Sequence, residues 1–357
     1  PEIEIVIEVM GGIQPALSYM LEALNAGKSV VTANKDVVAS EGKKLLEAAK
    51  ANGRDFLYEA SVAGGIPIVR PMKQCLAGNH ITEVVGIFNG TTNFILTKMS
   101  KEGMEFEEAL QLAQDLGYAE SDPTSDIEGL DAGRKVAILA SAAFNSRVVF
   151  ENVYTEGIAR ITAKDIQYAK EMGCEIKLLG MARLTAEGIE ARVHPMLINK
   201  DHPLASVQDS YNAVFVRGDA VQDTMFYGRG AGELPTASAV VGDVFDCVRN
   251  ILADCCGRIG CTCYKDLPIR KISQIKSKYF VRMEVEDRPG VLASVTAVFG
   301  NNSVSIAQFI QKEKKGELAE IVVITEKVQE RHFMDAIRIL EGMSIIREIS
   351  SLIRVYG

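Results

Sequence analysis

The opening of the chain admits few folds. Ile3 to Val9 is a β-branched run that stops at Gly11-Gly12. Pro15 to Ala26 reads as a helix closed by Gly27, in the position where glycine accepts the left-handed backbone of a helix end. Ser29 to Thr32 is a second short buried strand, and Lys35 to Lys50 a second helix. Strand, helix, strand, helix at this spacing predicts βαβ units and a parallel sheet. Open sheets of that kind bind ligands beyond the carboxyl ends of their strands. The segments Val9-Met10-Gly11-Gly12 and Thr32-Ala33-Asn34-Lys35 fall on that edge.

The middle of the chain is less regular. Phe56 to Ser61 and Ile81 to Phe88 read as strands, Phe106 to Leu116 and Leu130 to Phe144 as helices. Glu175 to Leu184, Ile189 to Leu197, Ala213 to Arg217 and Thr224 to Tyr227 read as strands of an antiparallel or mixed sheet. Gly228 to Gly232 is a glycine loop ahead of one long helix, Leu234 to Asp254. Cys255 to Ser277 has weak periodicity and reads as a linker. From Tyr279 onward the order is strand, helix, strand, strand, helix, strand, which is the ferredoxin-like pattern.

The segment Gly117-Tyr118-Ala119-Glu120-Ser121-Asp122-Pro123, with Asp126, Asp131 and Lys135 after it, is the richest in chemistry. Ser125-x-x-Glu128 has capping-box form, so a helix is predicted to begin near Asp126. Asp131 and Lys135, four apart, then share a face. A lysine ammonium is thereby set among carboxylates, with Glu120 and Asp126 able to bind an amino group. An amino-acid substrate whose carbonyl is reduced would suit such a site, with Lys135 as the acid. The same pattern also reads as a solvated helix start with a surface ion pair.

A net charge of −8 and no long Lys/Arg block argue against nucleic acid as a partner. No apolar run is long enough to span a membrane. Seven cysteines, an odd number, fit a reducing cytoplasm better than a disulfide framework. Cys255-Cys256-x4-Cys261-x-Cys263 is a poor tetrahedral clip and reads as small buried hydrophobes or a regulatory thiol. His80, His194, His202 and His332 are scattered and read as structural.

Taken together, these residues resemble homoserine dehydrogenase with a C-terminal ACT domain. The resemblance rests on Glu8-Val9-Met10-Gly11-Gly12, Val31-Thr32-Ala33-Asn34-Lys35, Tyr58 to Pro67, Phe88-Asn89-Gly90-Thr91-Thr92-Asn93, Glu120 to Lys135 and Gly230 to Ala239, and covers nearly the whole chain. It implies an α/β protein with a partial Rossmann-like dinucleotide-binding domain, an α+β substrate and dimerisation domain built on a mixed sheet, and a ferredoxin-like (βαββαβ) ACT domain. The implied divisions are residues 1–52 completed by 230–256, then 53–229, a linker at 257–278, and 279–357. The family begins with a strand and a G-x-G-x-x-G turn that cradles pyrophosphate. Nothing like it precedes Pro1, so the chain is expected to begin inside that domain, short of the phosphate site and of the residue that selects NAD or NADP.

The resemblance implies interconversion of L-homoserine and L-aspartate 4-semialdehyde with NADP or NAD. Lys135 is the implied general acid and base, with Lys35 the second lysine near the reacting centre. Glu120 and Asp131 are implied homoserine ligands, Asp126 a supporting acid, and Thr91 a group lining the substrate carboxylate or capping a helix. Thr32, Lys35, Gly11, Gly230 and Gly232 are implied at the cofactor. Glu59, Val62, Gly64 and Ile66 match a loop for a monovalent cation such as sodium, whose preference is for oxygen ligands. The same loop also reads as a strand-to-helix turn with Pro67 at the helix start. In the ACT domain, Asp287, Gly290, Asn301 and Asn302 would face an effector, implied to be L-threonine. A homodimer or homotetramer joined at the central sheet is expected. Two rival readings remain open: a non-catalytic ACT amino-acid sensor lacking the phosphate loop, and a dehydrogenase of another amino-acid semialdehyde.

Overall fold

A computed structural model describes residues 2–260, 263–315 and 317–357, with 312–315 described by their backbone alone. Cys261 of the cysteine-rich segment lies outside the described residues. The described residues build two sheets. The smaller is parallel, in the order β1 (Ile5–Glu8), β2 (Ser29–Thr32), β3 (Phe56–Leu57). Its crossovers are α1 (Ala16–Asn25) and α2 (Lys35–Ala51). Asn34 starts α2 by accepting the Val37 amide on its side chain at 3.2 Å, which satisfies an otherwise orphan donor.

β3 is shorter than the expected Phe56 to Ser61. Glu59 is the reason. Its carboxylate accepts the amides of Ile68, Val69 (2.8 Å) and Arg70 (2.7 Å), at the start of α3 (Val69–Lys73). Its own amide donates to Asp243 at 2.9 Å. A residue anchored at both ends in this way cannot continue a ladder, and Glu59–Ser61 turns as a 3-10 helix.

The large sheet is introduced by β4 (Ile81–Ile87). Helices α4 (Gly90–Glu102), α5 (Phe106–Asp115), α6 (Thr124–Ile127) and α7 (Leu130–Phe144) follow. Then come β5 (Tyr154–Thr155), α8 (Ala163–Glu171), β6 (Cys174–Thr185), β7 (Gly188–Asn199), β8 (Tyr211–Gly218), β9 (Gln222–Arg229) and α9 (Glu233–Leu252). The expected helix near Asp126 is broken. Gly129 takes a left-handed φ of 77° and separates α6 from α7. The break has a tertiary cause: the Ile158 amide takes the Ile127 carbonyl at 2.8 Å. α8 is an element the periodicity did not single out, although Thr162-x-x-Asp165 closes a reciprocal capping box at its start.

The last segment comprises β10 (Lys276–Glu286), α10 (Val291–Asn301), β11 (Ile306–Lys315), β12 (Leu318–Thr325), β13 (Val328–Gln329), α11 (Glu330–Glu341) and β14 (Ile346–Val355). Its antiparallel order β11-β12-β10-β14 is the expected ferredoxin-like arrangement. One face of this sheet packs Tyr279, Val281, Met283 and Ile321 against Phe299 of α10 and Phe333 and Leu340 of α11. The opposite face buries Phe280, Val322 and Ile353 in the main core of the chain. β14 also pairs in parallel with β7, so the C-terminal strands join the central ones in the single large sheet, β11-β12-β10-β14-β7-β6-β4-β8-β9. Among the described residues no helix is long and apolar enough to cross a membrane.

Candidate functional site

α7 begins with Asp131 and Lys135 on one face. Lys135 Nζ donates to Asp131 Oδ2 and to the Phe88 carbonyl, both at 2.7 Å. Phe88 follows β4, and Asn89 caps α4 by accepting the Thr92 amide at 2.9 Å. The same Asn89 side chain donates to Asp126 Oδ1 at 2.7 Å and Asp131 Oδ2 at 3.0 Å. From the small sheet, Lys35 opens α2 and brings its Nζ within 3.3 Å of Asp131 Oδ1. Its neighbour Asp36 pairs with Arg134 at 2.7 Å. The starts of α2 and α7 are thus stapled together, and one carboxylate sits between two ammoniums.

Lys135 and Asp131 are buried, at 8% and 7% exposure. Burial by itself pushes the Asp131 carboxyl up. The Lys135 and Lys35 ammoniums outweigh it and hold the group well below the usual carboxylate range. Burial, with the Asp131 charge added, pushes Asp126 the other way, against the opposing Asn89 bond. A depressed carboxyl contributes stability that is fully present above its unfolded value and fades as pH falls toward its folded one. Asp131→Asn is therefore expected to destabilise the fold at pH 7 by on the order of 3 kcal/mol, because Lys135 stays buried with its partner gone. The difference from the parent should shrink in urea unfolding below about pH 4. A difference independent of pH would show that the ion pairs contribute nothing.

The remaining sequence candidates are placed unequally. Glu120 is exposed on the loop ahead of α6, and its carbonyl takes a bond from Gln114 at 3.1 Å. It is outside the bonded network of Lys135. Thr91 donates its hydroxyl to the Tyr118 carbonyl at 2.6 Å and so ties α4 to that loop. Sequence reasoning passed over Asn89, the Phe88 carbonyl and Lys177. Lys177 is buried and donates to Asn93 Oδ1 (3.1 Å) and the Val207 carbonyl (2.6 Å), and burial pushes its ammonium down to about 8. Asn89 carried a usable signal, an asparagine between a strand and a helix.

At the ligand edge of the small sheet, Thr32 donates to Glu8 Oε2 at 2.7 Å and accepts the Asn34 amide at 2.9 Å. Asn34 in turn donates to the Gly12 carbonyl at 2.7 Å. Gly11 has open space where a Cβ would project. The turn holding Gly230 and Gly232 leads into α9, and no side chain caps that helix. Its first amides and dipole are available to an anion, which fits a pyrophosphate-bearing group there.

Gly64, at a φ of +52°, lies against this turn: a Cβ would fall 2.5 Å from the Gly230 carbonyl oxygen. Among the described residues no hydrogen-bond donor reaches the carbonyls of Val62, Gly64 or Ile66. Free oxygens suit a hard monovalent cation. The Glu59 carboxylate is engaged by three amides, so the fit rests on the carbonyls. No group of three or more His, Cys, Asp or Glu among the described residues is placed to hold a metal.

In the C-terminal domain, Asp287 and Gly290 precede α10, while Asn301 ends it and Asn302 caps its far end. At 1.5 Å per residue the helix keeps the two pairs about 16 Å apart within one chain. The structure does not bring these candidates together.

The family model described as homoserine dehydrogenase matches residues 67–245. Residues 1–59 match the homoserine dehydrogenase NAD binding domain, and 279–342 the ACT domain. The chain is 45% identical over 359 residues to homoserine dehydrogenase of Bacillus subtilis (strain 168), covering 100% of this chain and 83% of that one. It superposes on the crystal structure of a homoserine dehydrogenase from Thiobacillus denitrificans with a TM-score of 0.96 and 43% identity, covering 100% of this chain and 83% of the other. A hyperthermophilic archaeal homoserine dehydrogenase in complex with NADPH matches with a TM-score of 0.61 and 29% identity, covering 69% and 72%.

Proposed function

The chain belongs to the homoserine dehydrogenase family, and on that premise we propose that it interconverts L-homoserine and L-aspartate 4-semialdehyde, using NADP or NAD, within threonine, methionine and isoleucine biosynthesis. The observation that carries this reading is the buried Lys135–Asp131 pair with the half-exposed Lys35 beside it, a set that spans the small sheet and α7. When bound, the nicotinamide supplies or accepts the hydride. The protein must hold the aldehyde and handle one proton. Lys135 gives that proton to the carbonyl oxygen in reduction and takes it back in oxidation, and its charge stabilises the oxygen as negative charge develops. Asp131 fixes the ammonium in place, and Asn89 fixes Asp131 and Asp126. Glu120, Asp131 and Asp126 take the substrate amino group, with Thr91 beside the carboxylate.

On this reading residues 1–52 and 230–256 hold the cofactor through Thr32, Lys35, Gly11, Gly230 and Gly232. Residues 53–229 hold the substrate, and the carbonyls of Val62, Gly64 and Ile66 hold a sodium-type ion, with Glu59 fixing the loop through the amides it accepts. Residues 257–278 link to the regulatory domain, 279–357, where L-threonine binds at the Asp287–Gly290 end of α10 and inhibits. Homo-oligomers form through the central sheet; its outer strand β9 leaves Met225 and Tyr227 exposed, which supports that contact. The enzyme works in the cytoplasm.

The test is homoserine-dependent reduction of NADP⁺ and of NAD⁺ by the full-length protein, with and without threonine, in parent and Asp287→Ala. The expected result is activity that threonine suppresses in the parent and not in the variant. Equal suppression in both moves the effector site elsewhere. Folded protein with no activity on either cofactor would favour an amino-acid sensor instead.

A further inference from the structure

β8 runs between β4 and β9 in the large sheet, so its first residues lie between two loops on which the proposed reaction depends. On one side Ala213 pairs with Ile87, and β4 then runs out into Phe88, Asn89 and Gly90. Phe88 gives its carbonyl to Lys135, and Asn89 holds Asp126 and Asp131. On the other side Asn212 pairs with Gly228, and β9 then runs out into the turn at Gly230 that leads to α9.

Both loops touch one side chain, that of Asn212. A Cβ on Gly230 would overlap the Nδ2 and Cγ of Asn212 and stand 2.7 Å from its Cβ. A Cβ on Gly90 would fall 2.8 Å from the Ser210 carbonyl oxygen and 3.6 Å from Asn212 Oδ1. Neither glycine has a left-handed φ, so both backbones would accept a side chain and space alone forbids it. A further loop grips the same turn: the Gly65 amide donates to the Arg229 carbonyl at 3.1 Å. Asn212 itself is 1% exposed, and its Oδ1 is buried without a hydrogen-bond partner. An acceptor left unmatched in this way costs stability. A side chain that costs stability while standing between two loops of a site points to a task other than stability.

We infer that Asn212 is a positioning residue, the spacer that fixes the cofactor turn at Gly230 against the Phe88–Gly90 run that anchors Lys135 and Asp131. The inference rests on the dehydrogenase reading above. In that reaction the hydride goes to the carbonyl carbon and the proton to its oxygen. The cofactor is held along one loop and the proton donor is anchored on the other, so the spacing of the loops sets the alignment of both transfers. A misplacement of about 1 Å costs up to about 10²-fold in rate. Asn212 touches neither reacting atom and acts through the two glycines.

The test compares the full-length parent, Asn212→Gly, Gly230→Ala and the double variant by steady-state kinetics, calorimetric binding of NADP⁺ and thermal unfolding. Asn212→Gly opens the gap. Its kcat is expected to fall by up to about 10²-fold while NADP⁺ still binds. The isotope effect with homoserine deuterated at its reacting carbon should rise, as hydride transfer becomes the slow step. Gly230→Ala drives a methyl into Asn212 and should weaken NADP⁺ binding and lower the unfolding temperature. The double variant puts that methyl into the vacated gap. It should turn over faster than Asn212→Gly and bind NADP⁺ more tightly than Gly230→Ala. A merely structural role lowers the amount of folded enzyme and moves neither the isotope effect nor this rescue. Simple addition of the two single effects, or an isotope effect unchanged in Asn212→Gly, would overturn the assignment. If Asn212→Gly does not fold, Asn212→Ala removes the same Cγ and Nδ2 and takes its place. A parent without homoserine-dependent turnover would instead sink the dehydrogenase reading, while NADP⁺ binding and unfolding of the four proteins still decide the contact between Asn212 and Gly230.

Discussion

Lys135→Ala is expected to lower turnover by about 10²–10⁴-fold, the range for loss of a positioned acid or base, while homoserine binding stays measurable. The split follows from geometry. Lys135 spends two donors on Asp131 and the Phe88 carbonyl, and the third N–H is the one the proposed mechanism directs at the substrate oxygen. Alanine removes that proton and the charge beside it. On the proposed assignment Asp126 remains for the substrate amino group, and Asp131 is still paired with Lys35. Steady-state kinetics with a direct binding measurement separate the effects: kcat should collapse and the dissociation constant should move little. Turnover near the parent level would remove Lys135 from the mechanism. A parallel collapse of binding would make it a substrate anchor instead.

The second large effect concerns stability. Arg282, on β10 of the C-terminal domain, donates to Asp165 Oδ1 at 2.9 Å, Glu320 Oε2 at 3.2 Å and Thr162 Oγ1 at 3.2 Å. Asp165 and Thr162 form the start of α8 in the central domain. Arg282→Ala is expected to destabilise the chain by about 3–5 kcal/mol, because Asp165 is left buried with its counter-charge gone. Glu320 is less affected, since Lys164 pairs with it at 2.7 Å. Arg282→Met, which restores volume without charge, should lose nearly as much. Arg338→Ala, at an exposed pair with Asp335, is the control and should change little. If Arg282→Met unfolds like the parent in urea, packing rather than charge holds the two domains together. The same core argues against deleting 279–357 to test regulation: Phe280, Val322 and Ile353 would leave the main core with it.

What the sequence disclosed was local in character. The βαβ alternation, the final βαββαβ order and the shared face of Asp131 and Lys135 all depend on residues close together along the chain. What it concealed was long-range. Asn89 reaches Asp126 and Asp131 across 37 and 42 residues, so its second role was invisible beside the capping role. Glu59 reads as the end of a strand until α3 is folded over its carboxylate. The helix expected near Asp126 does begin, at Thr124, but it stops at Ile127, whose carbonyl Ile158 claims from outside the helix. Thr162-x-x-Asp165 was legible and overlooked. The grouping of Asp287 and Gly290 with Asn301 and Asn302 ignored the length of the helix between them.

β7 is a long strand with a full partner on one side, β6. Its other edge is patched in short pieces: Ile269 opposite Ile189, β5 opposite Arg192 and Val193, and β14 opposite Met196 and Leu197. Two of those patches are synthesised well after the strand they cover. A nascent chain thus carries an unfinished β edge until residues 354–355 leave the ribosome, and open edges template association with other chains. Premature termination anywhere between β7 and β14 should give aggregates before it gives inactive monomers, and a chaperone that shields strand edges would act during that interval.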